Sequence, residues 1–524
     1  MSTHKSIAKS ASVIAVATLI SRILGFIRDI VIARLFGVYL YAQAFVIAFR
    51  IPNLFRDLVG EGATNAAFVP VFSEYAHKHT KEEFWELANV VLNLLLVILM
   101  VITVLGIIFS PIIVRLIAPG FISSPEKLET TIKLNRVIFP YVLLICLAAY
   151  SMGILNSLKH FAVPAFAPCL LNISIIIFAL LFGEGVMGLA LGVLVGGVLQ
   201  LAIQIPVLYK KGFKLELFRK FDHPGARKIG KLMLPRVISS SIYQLNNFVD
   251  SIFGSLGFIV GDGGVAVLYF SYRLIQFPIG IFSNALSQAI LPTFSTQALN
   301  NDHNELKRTL SWGLRATSFI MIPASVSFMV LSGQIITVLY GGGKFDRYSA
   351  DLTSSALFYY SIGLFAYGAT KILQSCFFAL KDTVTPTKNA AVTLVSNIIL
   401  CSVLMFPMKI AGLALATSIS GINSFIILFV ILRKRIGDFG VKHIMASFIK
   451  ILISSACMGL VCYFVSRIEL NKLLSLGLAV GAGVVSYIVF CFIFRVKEAG
   501  ELLVWLRKGA GRAIKGNSSA ASGG

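Results

Sequence analysis

Long apolar runs with few charges recur along the whole chain, and they fix its class before any other feature does. About fourteen segments approach the roughly 20 apolar residues needed to cross the hydrocarbon of a bilayer. Their centres fall near Ile23, Ala48, Leu99, Leu143, Ile175, Val195, Tyr243, Ile281, Met321, Phe365, Ile399, Asn423, Gly459 and Val484. The runs are too long for barrel strands and lack a strand's alternation, so each must satisfy its backbone internally as a helix. Only 13% of the 524 residues are charged and 57% are hydrophobic, whereas soluble domains carry about 25% charged residues. The fold class is therefore an all-α polytopic membrane protein with about fourteen transmembrane helices.

The charge balance, 46 Lys+Arg against 23 Asp+Glu, would suggest nucleic acid in a soluble chain. Here the basic residues lie mostly in short connections between spans, where they orient the protein in the membrane, and no nucleic-acid partner is expected. With the N-terminus inside, the basic connections near residues 77–84, 158–164, 209–228, 300–308, 380–388 and 433–443 all fall on the cytoplasmic side, as does the C-terminal tail. An even span number with both ends cytoplasmic fits this asymmetry. Lys5 and Lys9 precede a long apolar segment with no small-residue cleavage site, so the first span is read as uncleaved. The seven cysteines all lie in apolar stretches without a CxxC spacing and read as packing residues.

An internal repeat is visible. Leu158-Lys159 with Pro164 matches Leu380-Lys381 with Pro386 at an offset of 222. Phe68–Ser73 resembles Ile290–Ser295 at the same offset, and Gly188–Leu191 recurs as Gly412–Leu415 at 224. The offset contains six spans, an even number, so the copies face the same way as parallel repeats. The expected organisation is an N-lobe of six helices at 1–221 and a C-lobe of six at 222–440. Two further helices and an amphipathic segment follow at 441–509, then a flexible tail or expression remnant at 510–524. Two lobes in such a repeat leave a cavity between them for a substrate.

The first two spans carry charges into the bilayer. At 100° per residue, Ser21, Arg22, Gly25, Arg28 and Asp29 share an arc about 120° wide on the first. Gln43, Arg50, Asn53, Arg56 and Asp57 share a similar arc on the second, with Glu61 just beyond. A midplane Arg or Asp costs roughly 2.5–3.5 kcal/mol on insertion scales, so such stripes face water or one another. Two readings stand: Arg28–Asp29 and Arg56–Asp57 neutralise each other, or the excess arginines bind an anion, phosphate being the ligand that a bidentate guanidinium suits best. In the second half Arg273 lies in YFSYRLIQFP with Gln276 one turn on and no acid within two turns along the sequence. Asp250, near Gln244, Asn246 and Asn247, suits a cation site or a proton carrier, or else a structural pairing with an arginine. No Walker A loop, HExxH or nucleophile elbow occurs, so the chain reads as a transporter without ATPase motifs rather than an enzyme.

These residues also carry a resemblance. SRILGFIRDIVIARLFG (Ser21–Gly37), AFRIPNLFRDLVGEGA (Ala48–Ala63), AFVPVFSEY (Ala67–Tyr75), VPAFAPCLLNIS (Val163–Ser174) and YRLIQFPIGIF (Tyr272–Phe282) are similar to the MurJ/MviN family. These are bacterial lipid II flippases of the multidrug/oligosaccharidyl-lipid/polysaccharide exporter superfamily, and the likeness runs over about residues 5–500. It implies transport of lipid II, the undecaprenyl-pyrophosphate-linked peptidoglycan precursor, to the periplasmic leaflet of the inner membrane by alternating access. The family's cavity arginines fall on Arg22, Arg28, Arg56 and Arg273, its first-helix Ser and Asp on Ser21 and Asp29, its second-helix basic position on Arg50 and its following acid on Glu61. Asn53 joins that set from its place on the stripe, and the last two helices, 441–495, would form a groove for the lipid tail.

Gln43, Tyr272 and Gln276 stand where some members have acids, which removes one basis for assigning the coupling. Some relatives carry a sodium site, for which Asp250 is suitably placed with Asp382 as a candidate partner. No prosthetic group is implied, and Na+, H+ or the membrane potential would drive the cycle. Partners implied are lipid II, membrane lipids and, as candidates, peptidoglycan synthases. A flippase for another polyprenyl-linked glycan is the near alternative; a drug/cation antiporter would want an acidic, aromatic cavity instead.

Overall fold

The computed structural model of the chain describes residues 3–57, 67–217, 220–300, 302–468 and 470–500. They are helical almost throughout; the strand-like pairing among the described residues is one isolated bridge between Gly342 and Phe345. Nine of the described helices are long and apolar enough to cross a membrane, and the bent pair Arg347–Ile362 and Leu364–Ala379, angled at 43°, makes a tenth span. The expected fourteen exceeds this number. It also takes in Thr3–Phe36, Leu40–Phe55 and Pro224–Ser255, and it divides Val384–Ile436 at Lys409, whose φ of 53° and ψ of −131° break that 53-residue stretch.

The chain divides into two compact units. One comprises Met1–Phe270 with Tyr340–Ala350 and Met408–Ile410; the other comprises Ser271–Leu339, Asp351–Pro407 and Ala411–Gly524. Each has its own apolar core, and the cores use corresponding positions. In the first unit Phe68, Phe72, Phe84, Ala88, Ile154 and Leu155 are buried together. In the second the buried set includes Ile290, Phe294, Leu306, Leu310, Cys376 and Phe377, each 222 residues further on. Leu208 and Leu432 extend the match at 224. The repeat read from the sequence is thus a repeat of packing positions, with apolar side chains of different size exchanged between the two cores.

Helix ends repeat as well. Thr80 caps Lys81–Ile108 by accepting from the Glu83 N–H, and Asp302, 222 residues later, accepts from the Glu305 N–H. Lys159 and Lys381, which follow Tyr141–Ser157 and Leu364–Ala379, both adopt φ 59°. There His160 N–H reaches back to the Leu155 carbonyl and Asp382 N–H to the Phe377 carbonyl. Such left-handed caps normally take glycine; a lysine there adds a cation beside the negative helix end.

Within the first unit, Ala162–Phe182 lies against Met187–Ala202 on one side and Thr3–Phe36 on the other. The first contact depends on absent side chains: a Cβ at Gly192 would stand 2.8 Å from the Ile175 Cα, and one at Gly196 2.9 Å from the Leu171 Cα. At one end of this unit several turns are tied together. Lys344 N–H caps the first helix at the Arg34 carbonyl, and Gly343 is required there, since its Cβ would fall 2.2 Å from that oxygen. Lys127 and Gln43 both donate to Asp262 Oδ1, at 2.7 and 3.0 Å, and Tyr39 donates to Asp346 at 2.6 Å. Burial pushes the Asp262 carboxyl up, but the Lys127 ammonium and the Gln43 amide outweigh it and hold the group below its usual range.

Candidate functional site

The polar stripe of the first helix divides into an exposed part and a buried part. Arg22 is exposed, about 21 Å along the helix axis from the Phe36 end. Two turns on, Arg28 is 3% exposed and Asp29 fully buried. Arg28 donates to Asp29 Oδ1 through Nε at 3.0 Å and Nη2 at 2.7 Å, to Asn172 Oδ1 through Nη1 at 3.1 Å, and to the Tyr269 hydroxyl through Nη2 at 3.1 Å. Tyr269 passes its own proton to Asp29 Oδ1 at 3.1 Å, and Asn172 Nδ2 donates to the Ser21 carbonyl. Every nitrogen of the Arg28 guanidinium is engaged. Arg28 is thus paired with Asp29, and the pair with Asn172 and Tyr269 ties three helices of this unit together.

The second helix shows the same pairing in a wetter setting. Arg56, at the C-terminal end of Leu40–Phe55, donates to Asp57 Oδ1 from Nε and Nη2, at 3.2 and 3.0 Å. The two side chains are 37% and 26% exposed, and Gln244 of Pro224–Ser255 donates to the other Asp57 oxygen. Arg50 is half-buried, and Asn53 Oδ1 is buried without a hydrogen-bond partner, an acceptor facing no donor. Gln43 is 2% exposed and committed to Asp262. Glu61 lies outside the described residues.

In the second unit Arg273 is half-buried on Gly264–Pro278 and donates to Gln276 at 3.4 Å. Neighbouring Tyr272 packs on Tyr360, with ring centroids 5.4 Å apart. Asp382, expected as a candidate partner for Asp250, has both oxygens engaged: it caps Val384–Ile436 through Thr385 N–H and Thr385 Oγ1, at 2.9 and 2.7 Å, and pairs with Arg435. Asp250 is half-buried in the first unit. Among the described residues no group of three or more His, Cys, Asp or Glu is placed to hold a metal ion.

Asn172, Tyr269 and Gln244 are the residues that the helical arcs did not single out. Asn172 had a signal, a lone amide in the middle of an apolar span. Tyr269 had none, and Gln244 only its place near Asp250; the fold alone brings them to Asp29 and Asp57, 240 and 187 positions away.

Comparison with known proteins is consistent across sequence and structure. Residues 32–482 match the family described as lipid II flippase MurJ. A probable lipid II flippase MurJ from Buchnera aphidicola subsp. Acyrthosiphon pisum is 36% identical over 419 residues, covering 79% of this chain and 81% of that protein. The lipid II flippase MurJ of Burkholderia cenocepacia is 34% identical over 430 residues, covering 80% and 82%. A solved lipid II flippase MurJ in an inward closed conformation is similar with a TM-score of 0.79 and 30% identity, covering 92% of this chain and 98% of that one. An inward-facing multidrug resistance MATE family transporter of the MOP superfamily, 17% identical over 80% of this chain and 95% of its own, shares the fold with a TM-score of 0.65.

Proposed function

Because the chain belongs to the MurJ family of lipid II flippases, we propose that it moves lipid II from the cytoplasmic to the periplasmic leaflet of a bacterial inner membrane by alternating access. The observation that carries the chemical part of this reading is Arg22. Arg22 is exposed midway along the first helix, two turns from an arginine whose three guanidinium nitrogens are all engaged. A guanidinium in that place cannot face acyl chains, and a pyrophosphate offers the planar pairs of oxygens it binds best. Arg22 and Arg273 therefore serve as direct ligands of the pyrophosphate. Arg28 and Asp29 act through position, holding the first helix in register, while Arg50 and Arg56 supply further positive potential.

Both termini lie in the cytoplasm on this reading, and the basic loops face the same side. The membrane potential or a cation at Asp250 returns the empty carrier to its starting state. The test is replacement of Arg22 or Arg273 by alanine in cells that depend on this copy. Lipid II appearing at the periplasmic face should fall by about tenfold or more and viability should be lost, with the protein still present in the membrane. Undiminished transport by both variants would rule out the pyrophosphate assignment. If neither variant nor parent moves lipid II while another polyprenyl-linked glycan crosses, the substrate itself is different.

A further inference from the structure

The repeat makes its two halves comparable position by position, and at one place they differ. In the first unit one face of Lys81–Ile108 is covered by the chain's own connection to Pro224–Ser255. Asn89 Nδ2 donates to the Lys214 carbonyl at 2.9 Å, and Asn89 Oδ1 accepts from the Glu216 N–H at 2.8 Å. Asn93 Nδ2 donates to the carbonyls of Glu216 and Lys220, at 3.1 and 3.3 Å, and Glu86 pairs with Lys220. That connection, between helices ending at Lys210 and starting at Pro224, has thirteen residues.

In the second unit the corresponding connection, from Ile436 to Val441, has four. It leaves the matching face partly open, with Asp438, Phe439 and Gly440 forming one wall there. The positions 222 beyond Glu86, Asn89 and Asn93 are Arg308, Ser311 and Arg315, and they line a cavity of about 620 Å³. Residues of His303–Leu339, of Val441–Ser466 and of the segment after Lys472–Ile493 surround it.

The chemistry of this cavity is specific. Lys307, Arg308, Arg315, Lys450, Arg495 and Lys497 face it, against Asp438 and Glu498. Arg308 is held by Glu305 and Arg315 by Glu498, at 2.6 Å in both cases. Two polar atoms of these lining residues are nevertheless orphaned: Arg315 Nε and Glu498 Oε2 are buried with no hydrogen-bond partner, and Glu498 is 6% exposed. Where the first unit places asparagines on backbone carbonyls, the second places Ser311 and an Arg315 paired with Glu498, in a cavity whose cations outnumber its acids. An occupant must therefore present several acceptor oxygens, carry negative charge and offer one donor to Glu498. Flanking the cavity on the same helices, Trp312, Met445, Ile449 and Ile493 are exposed apolar side chains, so the site opens at a membrane surface.

We propose that this cavity binds the phosphodiester headgroup of an anionic glycerophospholipid whose terminal substituent carries a hydroxyl, as in phosphatidylglycerol. Arg315, Lys307 and Arg495 hold the phosphate oxygens, and Glu498 Oε2 accepts from the headgroup hydroxyl. The site is independent of the pyrophosphate ligands assigned above.

The test uses the purified full-length chain and native mass spectrometry, titrating phosphatidylglycerol, phosphatidylethanolamine and inorganic phosphate separately. Phosphatidylglycerol should remain bound, and the double variant Lys307→Gln/Arg495→Gln should weaken that binding by about tenfold or more. Neither side chain has an ion-pair partner among the described residues, so the variant should keep the parent's melting temperature and lipid II transport. Arg273→Ala should bind phosphatidylglycerol as the parent does, which separates this site from the transport site. Equal retention by parent and double variant would overturn the proposal. So would equal retention of phosphatidylethanolamine, which would show that net charge is not read, or displacement of phosphatidylglycerol by millimolar inorganic phosphate, which would make the ligand a soluble anion.

Discussion

At the scale of single residues, the charges on the first helix answer two different needs. Asp29 exists in the structure as the counter-ion of a buried arginine, and its loss leaves Arg28 desolvated without compensation. Asp29→Ala should therefore lower stability by about 3–5 kcal/mol, read as a large fall in melting temperature in detergent. Arg22→Ala, at an exposed position, should change the melting temperature little while abolishing transport. Asp262 gives a prediction in pH. Its carboxyl is held below the ordinary carboxylate range, so the unfolded chain takes up the proton first. Its contribution is fully present above about pH 4 and is lost as pH falls through the lower folded value. Lys127→Ala removes the principal stabilising partner, and the acid-induced loss of stability should then begin at higher pH than in the parent.

At the scale of elements, the caps are testable because they occur in pairs. Thr80→Ala and Asp302→Ala should each cost about 1 kcal/mol, since each removes one N-cap acceptor. Lys159 and Lys381 run the other way. The left-handed conformation costs a non-glycine residue about 1–2 kcal/mol, and the cation beside the helix end returns about 0.3–1 kcal/mol. Lys159→Gly and Lys381→Gly should thus stabilise by about 1 kcal/mol each, checked by thermal melting; no gain would mean that the lysine side chains hold the helix ends more firmly than solvent-exposed cations do. Elements were also what the sequence showed best. Hydropathy located most of the helices, and the 222-residue offset aligned Phe68–Ser73 with Ile290–Ser295 and Lys159 with Lys381, segments that hold core and cap residues. Pairings across the unit were hidden. The arcs put Arg22 and Asp29 within about 20° of each other, yet one is exposed and the other buried. That difference comes from Asn172 and Tyr269, which only folding brings to Arg28 and Asp29 respectively. Gln43 was legible as polar and central, but not as a ligand of Asp262, 219 residues away.

At the scale of the whole molecule, the family assignment and the membrane class agree, and the orientation is open to direct measurement. Single cysteines at Lys211, Asn304 and Lys497 should react with an impermeant thiol reagent only from the cytoplasmic side, and cysteines at Glu126 and Tyr348 only from the other. Six native cysteines are buried and should contribute little background. Labelling of the two sets from one side would refute the topology read from the basic loops.

The paired cores bear on how such a chain is made. The buried members of the first core run from Ala67 to Ile229, and those of the second from Ile290 to Ile444, without interleaving. A ribosome feeding the chain into the membrane therefore releases all of one core before the first residue of the other emerges. The earlier half can condense while the later half is still being translated, with no need to await a distant partner strand of sequence.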